Sequence, residues 1–304
     1  MNVIEVTQLT KIYGKINAVD QISFNVKKGE IFGMLGPNGA GKTTTIECII
    51  GLKKYEQGIV NVVGLNPLKD RNALYGKIGV QLQETSFQDK IKVKEICSLF
   101  ESFYKNPYPY EKLIDKFGLK EKLNSYVDNL SGGQKQKLSI ILALIPNPEI
   151  VFLDELTTGL DPQARQDMWK YVKELKEEGR TVFMTTHYME EAEYLCDRIC
   201  IIKKGKIIAL DTVENIIISS GLETEIIFEA EQDITNLLSN ELEHVSKFTR
   251  DDHKYIVYSQ NDGVLGKLVY MLETKKISYK NLNIKRPTLD DTFLKLIDEK
   301  VEEA

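Results

Sequence analysis

The sequence predicts an α/β fold built on a parallel sheet, followed by a small α+β domain. Short apolar runs at residues 30–35 and 150–153 suit strands that are buried on both faces of such a sheet. A helix is expected over residues 164–178, and further strands over residues 180–185 and 198–202. This alternation of strand and helix is typical of a parallel sheet covered by helices.

Two strands are expected ahead of the first apolar run, over residues 2–8 and 20–26. Apolar and polar residues alternate in both, as a half-buried strand requires. The run at residues 30–35 leads into a glycine-rich loop, after which residues 42–50 predict a helix.

Residues 90–148 predict a helical insertion between strands. Val93, Ile96 and Phe100 recur at helical spacing, and the Asn-Pro-Tyr-Pro stretch at residues 106–109 ends that helix. Shorter helical segments continue to the end of the insertion.

The pattern changes after about Asp211, and residues 222–304 predict a separate C-terminal accessory domain. The order β-α-β-β-α-β plus a terminal helix suits a small ferredoxin-like domain. The expected strands cover residues 225–230, 245–249, 255–258 and 277–284, and the expected helices cover residues 233–238, 264–275 and 289–300.

Composition limits the classes of function. The 304 residues carry a net charge of -5, which argues against a large nucleic-acid surface because such surfaces are basic. No apolar run approaches the roughly 18 residues that a spanning helix needs, so no transmembrane helix is expected. The first residues lack the basic start and apolar stretch of a signal peptide. We therefore expect a cytoplasmic protein.

The first motif, Gly-Pro-Asn-Gly-Ala-Gly-Lys-Thr at residues 36–43, fits a phosphate-binding loop between a strand and a helix. Glycines let backbone N–H groups surround phosphate oxygens, and the helix N-terminus adds a positive dipole. Lys42 is expected to reach the β- and γ-phosphates, and the Thr43 hydroxyl to bind Mg²⁺. The candidate nucleotide-binding residues here are Asn38, Gly39, Gly41, Lys42, Thr43 and Thr44.

The second motif places two carboxylates, Asp154 and Glu155, directly after the apolar run at residues 150–153. They would lie at the edge where α/β sheets bind ligands. Asp154 is expected to hold Mg²⁺ through water, and Glu155 to orient or deprotonate the attacking water. Taken by itself, this motif could be a strand that simply ends in a solvated turn. Its occurrence together with the phosphate-binding loop favours the functional interpretation.

The third motif is Leu130-Ser131-Gly132-Gly133-Gln134, which begins a second helix with exposed N–H groups. One nucleotide cannot use both helix starts within one chain if they face apart. We therefore expect two chains, each supplying one half of each nucleotide site.

The phosphate-binding loop, the Leu130–Gln134 motif and the Asp154-Glu155 pair, in this order along the chain, resemble the nucleotide-binding subunits of ABC transporters, and the resemblance covers residues 1–215. It implies a P-loop NTPase fold: a RecA-like core with an antiparallel β subdomain and a helical insertion. It also implies ATP and Mg²⁺ as ligands, ATP hydrolysis, a separate integral-membrane permease, a homodimer, and a peripheral position on the inner face of the cell membrane.

Four further residues match the family's pattern. The resemblance implies that Tyr13 stacks on adenine and that Gln83 touches Mg²⁺ or water and faces the permease contact. It further implies that Asp161 crosses the dimer interface and that His187 hydrogen-bonds the γ-phosphate. The implied catalytic residues are Glu155, His187 and Gln83, and the implied metal ligands are Thr43, Gln83 and Asp154. The remaining implied nucleotide contacts are Tyr13, Ser131, Gly132, Gly133, Gln134 and Asp161.

The chain departs from the family at Leu156, where many members carry proline, so the placement of Glu155 depends more on neighbouring residues. The Pro-Thr-Leu-Asp-Asp-Thr-Phe-Leu stretch at residues 287–294 resembles the extension of exporter ATPases in the drug, lipid and polysaccharide group. This extension is either a regulatory or dimer-bracing module or a bystander without a ligand.

Three other functions are possible for such a cassette. A ribosome-directed ATPase usually carries two cassettes, and one is present here. A DNA-repair or chromosome ATPase places a long coiled coil between its phosphate loop and Ser131, and the 89 residues (131 − 42) leave no room for it. A regulatory module that binds nucleotide without splitting it is disfavoured by the presence of Glu155 and His187.

Overall fold

The computed structural model describes residues 1–82 and 87–299, so Gln83 lies outside the described residues. The chain divides into two compact units, Met1–Val213 and Glu214–Ala304, which are described separately. Within the described ranges, no helix is both long enough and apolar enough to cross a bilayer.

The first unit contains strands and helices in alternation, with two short 3₁₀ turns at Lys120–Lys122 and Val127–Asn129. In chain order its elements are β1 (Asn2–Tyr13), β2 (Ile16–Lys27), β3 (Ile31–Leu35), α1 (Lys42–Ile49), β4 (Gln57–Val62), α2 (Arg71–Tyr75), β5 (Ile78–Gln81), α3 (Val93–Ser102), α4 (Tyr110–Lys116), α5 (Gly132–Leu144), β6 (Ile150–Asp154), α6 (Pro162–Glu177), β7 (Thr181–Thr186), α7 (Met189–Leu195), β8 (Arg198–Lys203) and β9 (Lys206–Thr212).

A six-stranded sheet in the order β5-β6-β7-β3-β8-β9 forms the centre of this unit. The strands from β5 to β8 run parallel, and β9 joins the edge antiparallel. Every residue of β3, β6 and β7 is buried, as expected for strands covered on both faces. The α/β fold class predicted from the sequence is confirmed. Because these strands are parallel, their carboxyl ends meet at one edge.

A three-stranded antiparallel sheet, β2-β1-β4, packs beside the central one. Ile22, Phe24 and Val26 of β2 are buried on one face. The Phe24 ring stacks on Phe32 of β3 at 5.5 Å between centroids, which joins the two sheets through their apolar faces. Strand β4 was not predicted from the sequence.

Helices α3, α4 and α5 occupy the stretch predicted to be a helical insertion. The buried side chains of Ile96, Leu113 and Ile141, one from each helix, belong to the same core cluster. This cluster also contains Val151 and Leu153 of β6, so the three helices share a core with the central sheet.

The second unit is an antiparallel sheet with helices. Its elements are α8 (Val213–Ser219), β10 (Thr224–Ala230), α9 (Thr235–Glu241), β11 (Lys247–Asp251), β12 (Lys254–Ser259), α10 (Gly263–Thr274), β13 (Tyr279–Lys285) and α11 (Leu289–Glu299). The strand order is β11-β12-β10-β13, and every neighbouring pair is antiparallel. Phe228, Tyr255 and Leu268 lie in a core separate from those of the first unit.

Candidate nucleotide site

The glycine-rich loop connects β3 to α1 at the carboxyl edge of the central sheet. Gly41, which caps α1, has a φ of 108°, and a Cβ there would lie 2.2 Å from the Ala18 carbonyl oxygen. Gly39 has a φ of 78°. Both the backbone conformation and the lack of space therefore exclude a side chain at Gly41, as expected of a loop whose backbone approaches phosphate at a helix N-terminus.

Lys42 begins α1, and its side chain is buried against the loop. Its Nζ donates hydrogen bonds to the Gly36 carbonyl at 2.9 Å and to the Pro37 carbonyl at 3.3 Å. The same ammonium lies 3.3 Å from Oε1 of Glu155, and both side chains are almost fully buried. A buried positive charge is therefore held beside the loop and next to the carboxylate of the second motif.

Asp154 ends β6 as a fully buried carboxylate. Its Oδ1 accepts a hydrogen bond from the Thr185 hydroxyl, while its buried Oδ2 has no hydrogen-bond partner among the described residues. Burial raises the pKa of this carboxyl, and the hydroxyls of Thr185 and Thr43 act in the opposite direction. An unsatisfied carboxylate oxygen near a threonine hydroxyl suits a hard cation such as Mg²⁺ or one of its bound waters.

Glu155 turns away from the end of β6 with a φ of 50°, a left-handed conformation that is uncommon outside glycine. Its backbone N–H donates to the Thr185 hydroxyl at 3.1 Å. Its Oε2 accepts from the Thr158 hydroxyl at 3.4 Å and lies 3.5 Å from Nδ1 of His187. The carboxylate therefore lies between Lys42 and the histidine that follows β7.

Leu156, at the departure from the family pattern, is fully buried and belongs to the core cluster of the helical insertion. Apolar packing therefore anchors the chain directly after Glu155. This burial provides the neighbouring support that the missing proline ring would otherwise supply.

A cavity of about 300 Å³ opens beside these groups. Tyr13 lies at its rim, 42% exposed, with Nζ of Lys11 5.1 Å and Nζ of Lys53 5.3 Å from its ring centroid. The sequence analysis did not single out either lysine or Ala18. The lining residues are Tyr13, Ala18, Asn38, Gly39, Gly41, Lys42, Thr43, Thr44 and Glu155.

The third motif lies at the start of α5. The Ser131 hydroxyl accepts a hydrogen bond from the Gln134 N–H at 3.3 Å, and the Ser131 N–H donates to the Gln134 side-chain oxygen at 3.0 Å. This reciprocal pair is a capping box. Ser131 and Gly132 are exposed, and within the described ranges no residue of the motif lines the cavity.

Asp161 is a second exposed cap. Its carboxylate accepts a hydrogen bond from the Ala164 N–H at 2.9 Å and begins α6. It does not line the cavity either, as far as the described residues show. The structure thus gathers most of the predicted nucleotide residues in one cavity and leaves Ser131 and Asp161 accessible outside it.

Thr185 was missed by the sequence analysis, although its hydroxyl bonds both Asp154 and the Glu155 backbone. It is the fifth residue of the buried strand β7, and a threonine is ordinary in a strand. Only the pairing of β7 with β6, which places Thr185 opposite Asp154, gives it a role.

Comparison with known proteins agrees with this geometry. The family model described as "ABC transporter" matches residues 19–158. The chain is 33% identical over 303 residues to the linearmycin resistance ATP-binding protein LnrL of Bacillus subtilis (strain 168), covering 96% of this chain and 97% of that protein. It is 39% identical over 215 residues to the Nod factor export ATP-binding protein I of Rhizobium etli, covering 69% of this chain and 68% of that protein.

Among solved structures, the dimeric post-hydrolysis state of the ATP-binding cassette MJ0796, bound to ADP and Pi, matches with a TM-score of 0.63 and 27% identity. The match covers 69% of this chain and 98% of that one. The P-loop NTPase fold is therefore shown by structure as well as by motif. The chain belongs to the ABC transporter family, as one of its ATP-binding, ATP-hydrolysing subunits.

Proposed function

We propose that the chain binds Mg²⁺-ATP in the cavity beside Tyr13 and hydrolyses it to power a separate membrane permease that exports its substrate. The observation that carries this proposal is the convergence of Lys42, Asp154, Glu155 and His187 next to the glycine-rich loop. In that order they supply a cation for the phosphates, a carboxylate for the metal, a general base and a ligand of the γ-phosphate. Phosphoryl transfer to water requires these groups together.

The chain's own residues divide the binding of the nucleotide between them. Tyr13 stacks on the adenine, and the loop N–H groups with Lys42 hold the β- and γ-phosphates. The Thr43 hydroxyl and Asp154 hold the Mg²⁺, with Gln83 as a further ligand outside the described residues. When bound, the metal neutralises charge on the phosphate oxygens.

Glu155 is the general base, and His187 binds the γ-phosphate. The carboxylate is buried, hydrogen-bonded by Thr158 and 3.5 Å from the imidazole, so its direction is fixed before a water arrives. In the binding step, Lys42 exchanges its contact with Glu155 for the phosphates, which frees the carboxylate to orient and deprotonate the attacking water.

Two copies of the chain enclose the nucleotide. The exposed start of α5, with Ser131, Gly132, Gly133 and Gln134, covers the γ-phosphate bound by the loop of the other copy, and Asp161 crosses between them. This arrangement is supported by the exposure of Ser131 and Asp161, neither of which lines the chain's own cavity among the described residues. The dimeric state of the MJ0796 cassette supports it independently.

The permease docks on a groove of the first unit that is lined by aromatic, aliphatic and polar side chains, and this contact holds the chain against the inner face of the cell membrane. Two cavities, of about 570 and 240 Å³, share Tyr75, Tyr104 and Pro146. Phe103, 65% exposed, lines the larger one, and Leu82, which Gln83 follows in the chain, lines the smaller one. An exposed aromatic side chain beside half-buried aromatic and aliphatic ones suits an interface with another protein. The export direction rests on the name of the Rhizobium etli relative, a Nod factor export ATP-binding protein.

Replacing Lys42 with alanine removes the only side-chain cation that lines the nucleotide cavity within the described residues. We expect ATP affinity to fall by about tenfold or more, because charge-assisted hydrogen bonds to the phosphates are lost. Equilibrium titration with a fluorescent ATP analogue measures this. Lys54→Ala, at an exposed lysine, is the matched control. Unchanged affinity in Lys42→Ala would remove Lys42 from the site.

Glu155→Gln should retain ATP binding and slow hydrolysis by about 100-fold or more, the contribution of a positioned general base. The ATP-bound dimer should then accumulate and be visible by size-exclusion chromatography with light scattering. Glu149→Gln, at the exposed residue just before β6, should behave like the wild type. A normal turnover number in Glu155→Gln would exclude Glu155 as the base.

Phe103→Lys places a charge in the proposed permease groove without touching the nucleotide cavity. We expect the fraction of chain retained in washed membranes to fall about tenfold, as for the loss of a central aromatic anchor. Nucleotide affinity should stay unchanged. Ile59→Lys, at an exposed residue of β4, is the control. Full membrane retention of Phe103→Lys would place the permease elsewhere.

A further inference from the structure

The imidazole of His187 rests against the ring of the residue that follows it. The ring centroids of His187 and Tyr188 lie 4.1 Å apart, with 39° between the ring planes. The His187 side chain is 31% exposed, and its Nδ1 lies 3.5 Å from Oε2 of Glu155. Nδ1 has no hydrogen-bond partner within the described residues. The direction of the imidazole therefore depends on its aromatic neighbour rather than on a hydrogen bond at Nδ1.

Tyr188 is itself held from two sides. Its backbone N–H donates a hydrogen bond to the Thr186 hydroxyl at 3.0 Å, which fixes the backbone where α7 begins. The Arg165 guanidinium of α6 lies over its ring, 4.4 Å from the centroid, as in a cation–π contact. The buried Nε of Arg165 has no hydrogen-bond partner among the described residues. Hydrogen bonding at Nε therefore does not explain where the guanidinium lies, whereas the ring does.

Four side chains thus form a row that ends at the proposed general base. The guanidinium of Arg165 lies 4.4 Å from the Tyr188 ring, that ring 4.1 Å from the imidazole of His187, and the imidazole 3.5 Å from the carboxylate of Glu155. The row starts in the first turn of α6, where the Arg165 N–H donates to the Asp161 carbonyl at 3.0 Å. Side chains that pack in this way restrict one another's torsions.

The alternative is that the Arg165–Tyr188 pair merely packs α6 against α7. A second cation–ring pair joins the same two helices, because Nζ of Lys173 lies 3.4 Å from the ring centroid of Tyr194. The Tyr194 ring is 52% exposed and lies against Trp169, with 5.1 Å between the centroids. Among the described residues it is Tyr188, and not Tyr194, whose ring meets His187. Comparing the two pairs therefore separates positioning from packing.

We propose that Tyr188, held by Arg165, is a positioning residue for ATP hydrolysis. Its ring fixes the imidazole of His187 in the direction that faces Glu155 and the γ-phosphate. Tyr188 and Arg165 do not line the nucleotide cavity, as far as the described residues show, so they act through the histidine. The proposal rests on the role of His187 given under the proposed function.

The first test compares Tyr188→Leu with Tyr188→Phe in the full-length chain. The leucine variant lacks the aromatic face, so kcat for ATP hydrolysis should fall about tenfold or more, as for a small misplacement of a catalytic group. The phenylalanine variant keeps the ring, so its kcat should stay within about threefold of wild type. Tyr194→Leu removes the ring of the matched pair and should leave kcat unchanged.

Nucleotide affinities separate a misplaced histidine from a damaged cavity. ADP lacks the phosphate that His187 binds, so the affinity of Tyr188→Leu for ADP should change less than about twofold. A non-hydrolysable ATP analogue should bind about threefold or more weakly, because a hydrogen bond to the γ-phosphate is lost. In a chain that already carries His187→Ala, adding Tyr188→Leu should weaken the analogue no further. Isothermal titration calorimetry measures all of these affinities.

Arg165 supplies an independent arm. Arg165→Met keeps an unbranched side chain but removes the guanidinium, so kcat should fall about threefold or more, as for the loss of a partly desolvated cation–π contact. The same substitution should lower kcat no further in a chain that already carries Tyr188→Leu, because the arginine acts through the ring. Lys173→Met removes the cation of the matched pair and should behave like the wild type.

Wild-type kcat in folded Tyr188→Leu, an equal loss of kcat in Tyr194→Leu, or an affinity for ADP that falls together with that for the ATP analogue would each overturn the proposal. If circular dichroism shows that Tyr188→Leu does not fold, the Arg165→Met and Lys173→Met pair decides, and equal kcat values in these two variants would contradict the proposal. Failure of the proposed function would look different, as wild-type hydrolysis in His187→Ala or absent ATPase activity in the wild type.

Discussion

The hydroxyl of Thr185 makes the contacts on which the proposed hydrolytic site depends. It donates to the carboxylate of Asp154 and accepts from the backbone N–H of Glu155, so one side chain holds two neighbouring acidic residues in different directions. Asp154 is directed into the sheet edge beside Thr43, and Glu155, with its left-handed backbone, is directed toward Lys42 and His187. In the proposed mechanism, this divergence lets Asp154 serve the metal and Glu155 serve the attacking water without competing.

This contact exists because β6 and β7 are parallel neighbours. Their register pairs Asp154 with Thr185, and the next residues on each strand lead to Glu155 and to His187. On the other side of β7 lies β3, which leads into the glycine-rich loop. Three consecutive strands of one sheet therefore deliver the phosphate cradle, the carboxylates and the histidine to one edge, the place where α/β sheets bind ligands.

The alternation of buried apolar runs with helices made the parallel core predictable from the sequence. The motifs made most of the cavity residues predictable, because their chemistry demands fixed residue types at fixed spacing. Strand β4 gave no comparable signal, since it is half-exposed and pairs with β1 only across a long separation in the chain. Thr185 acquires its role only through strand register. The burial of Glu191 on α7 gave no signal for the opposite reason: a glutamate among charged residues predicts a solvated face, yet its side chain is buried and bonded by the Trp169 indole.

The central claim is that ATP is held between the loop of one copy and the start of α5 of another. A mixture of Asn38→Cys and Ser131→Cys chains, each also carrying Glu155→Gln, tests it most directly, because the native cysteines are largely buried. With Mg²⁺-ATP and a short bifunctional thiol reagent, the account predicts a covalent dimer joining the two introduced cysteines, and none without nucleotide. Saturating ATP binding without this cross-link would contradict it.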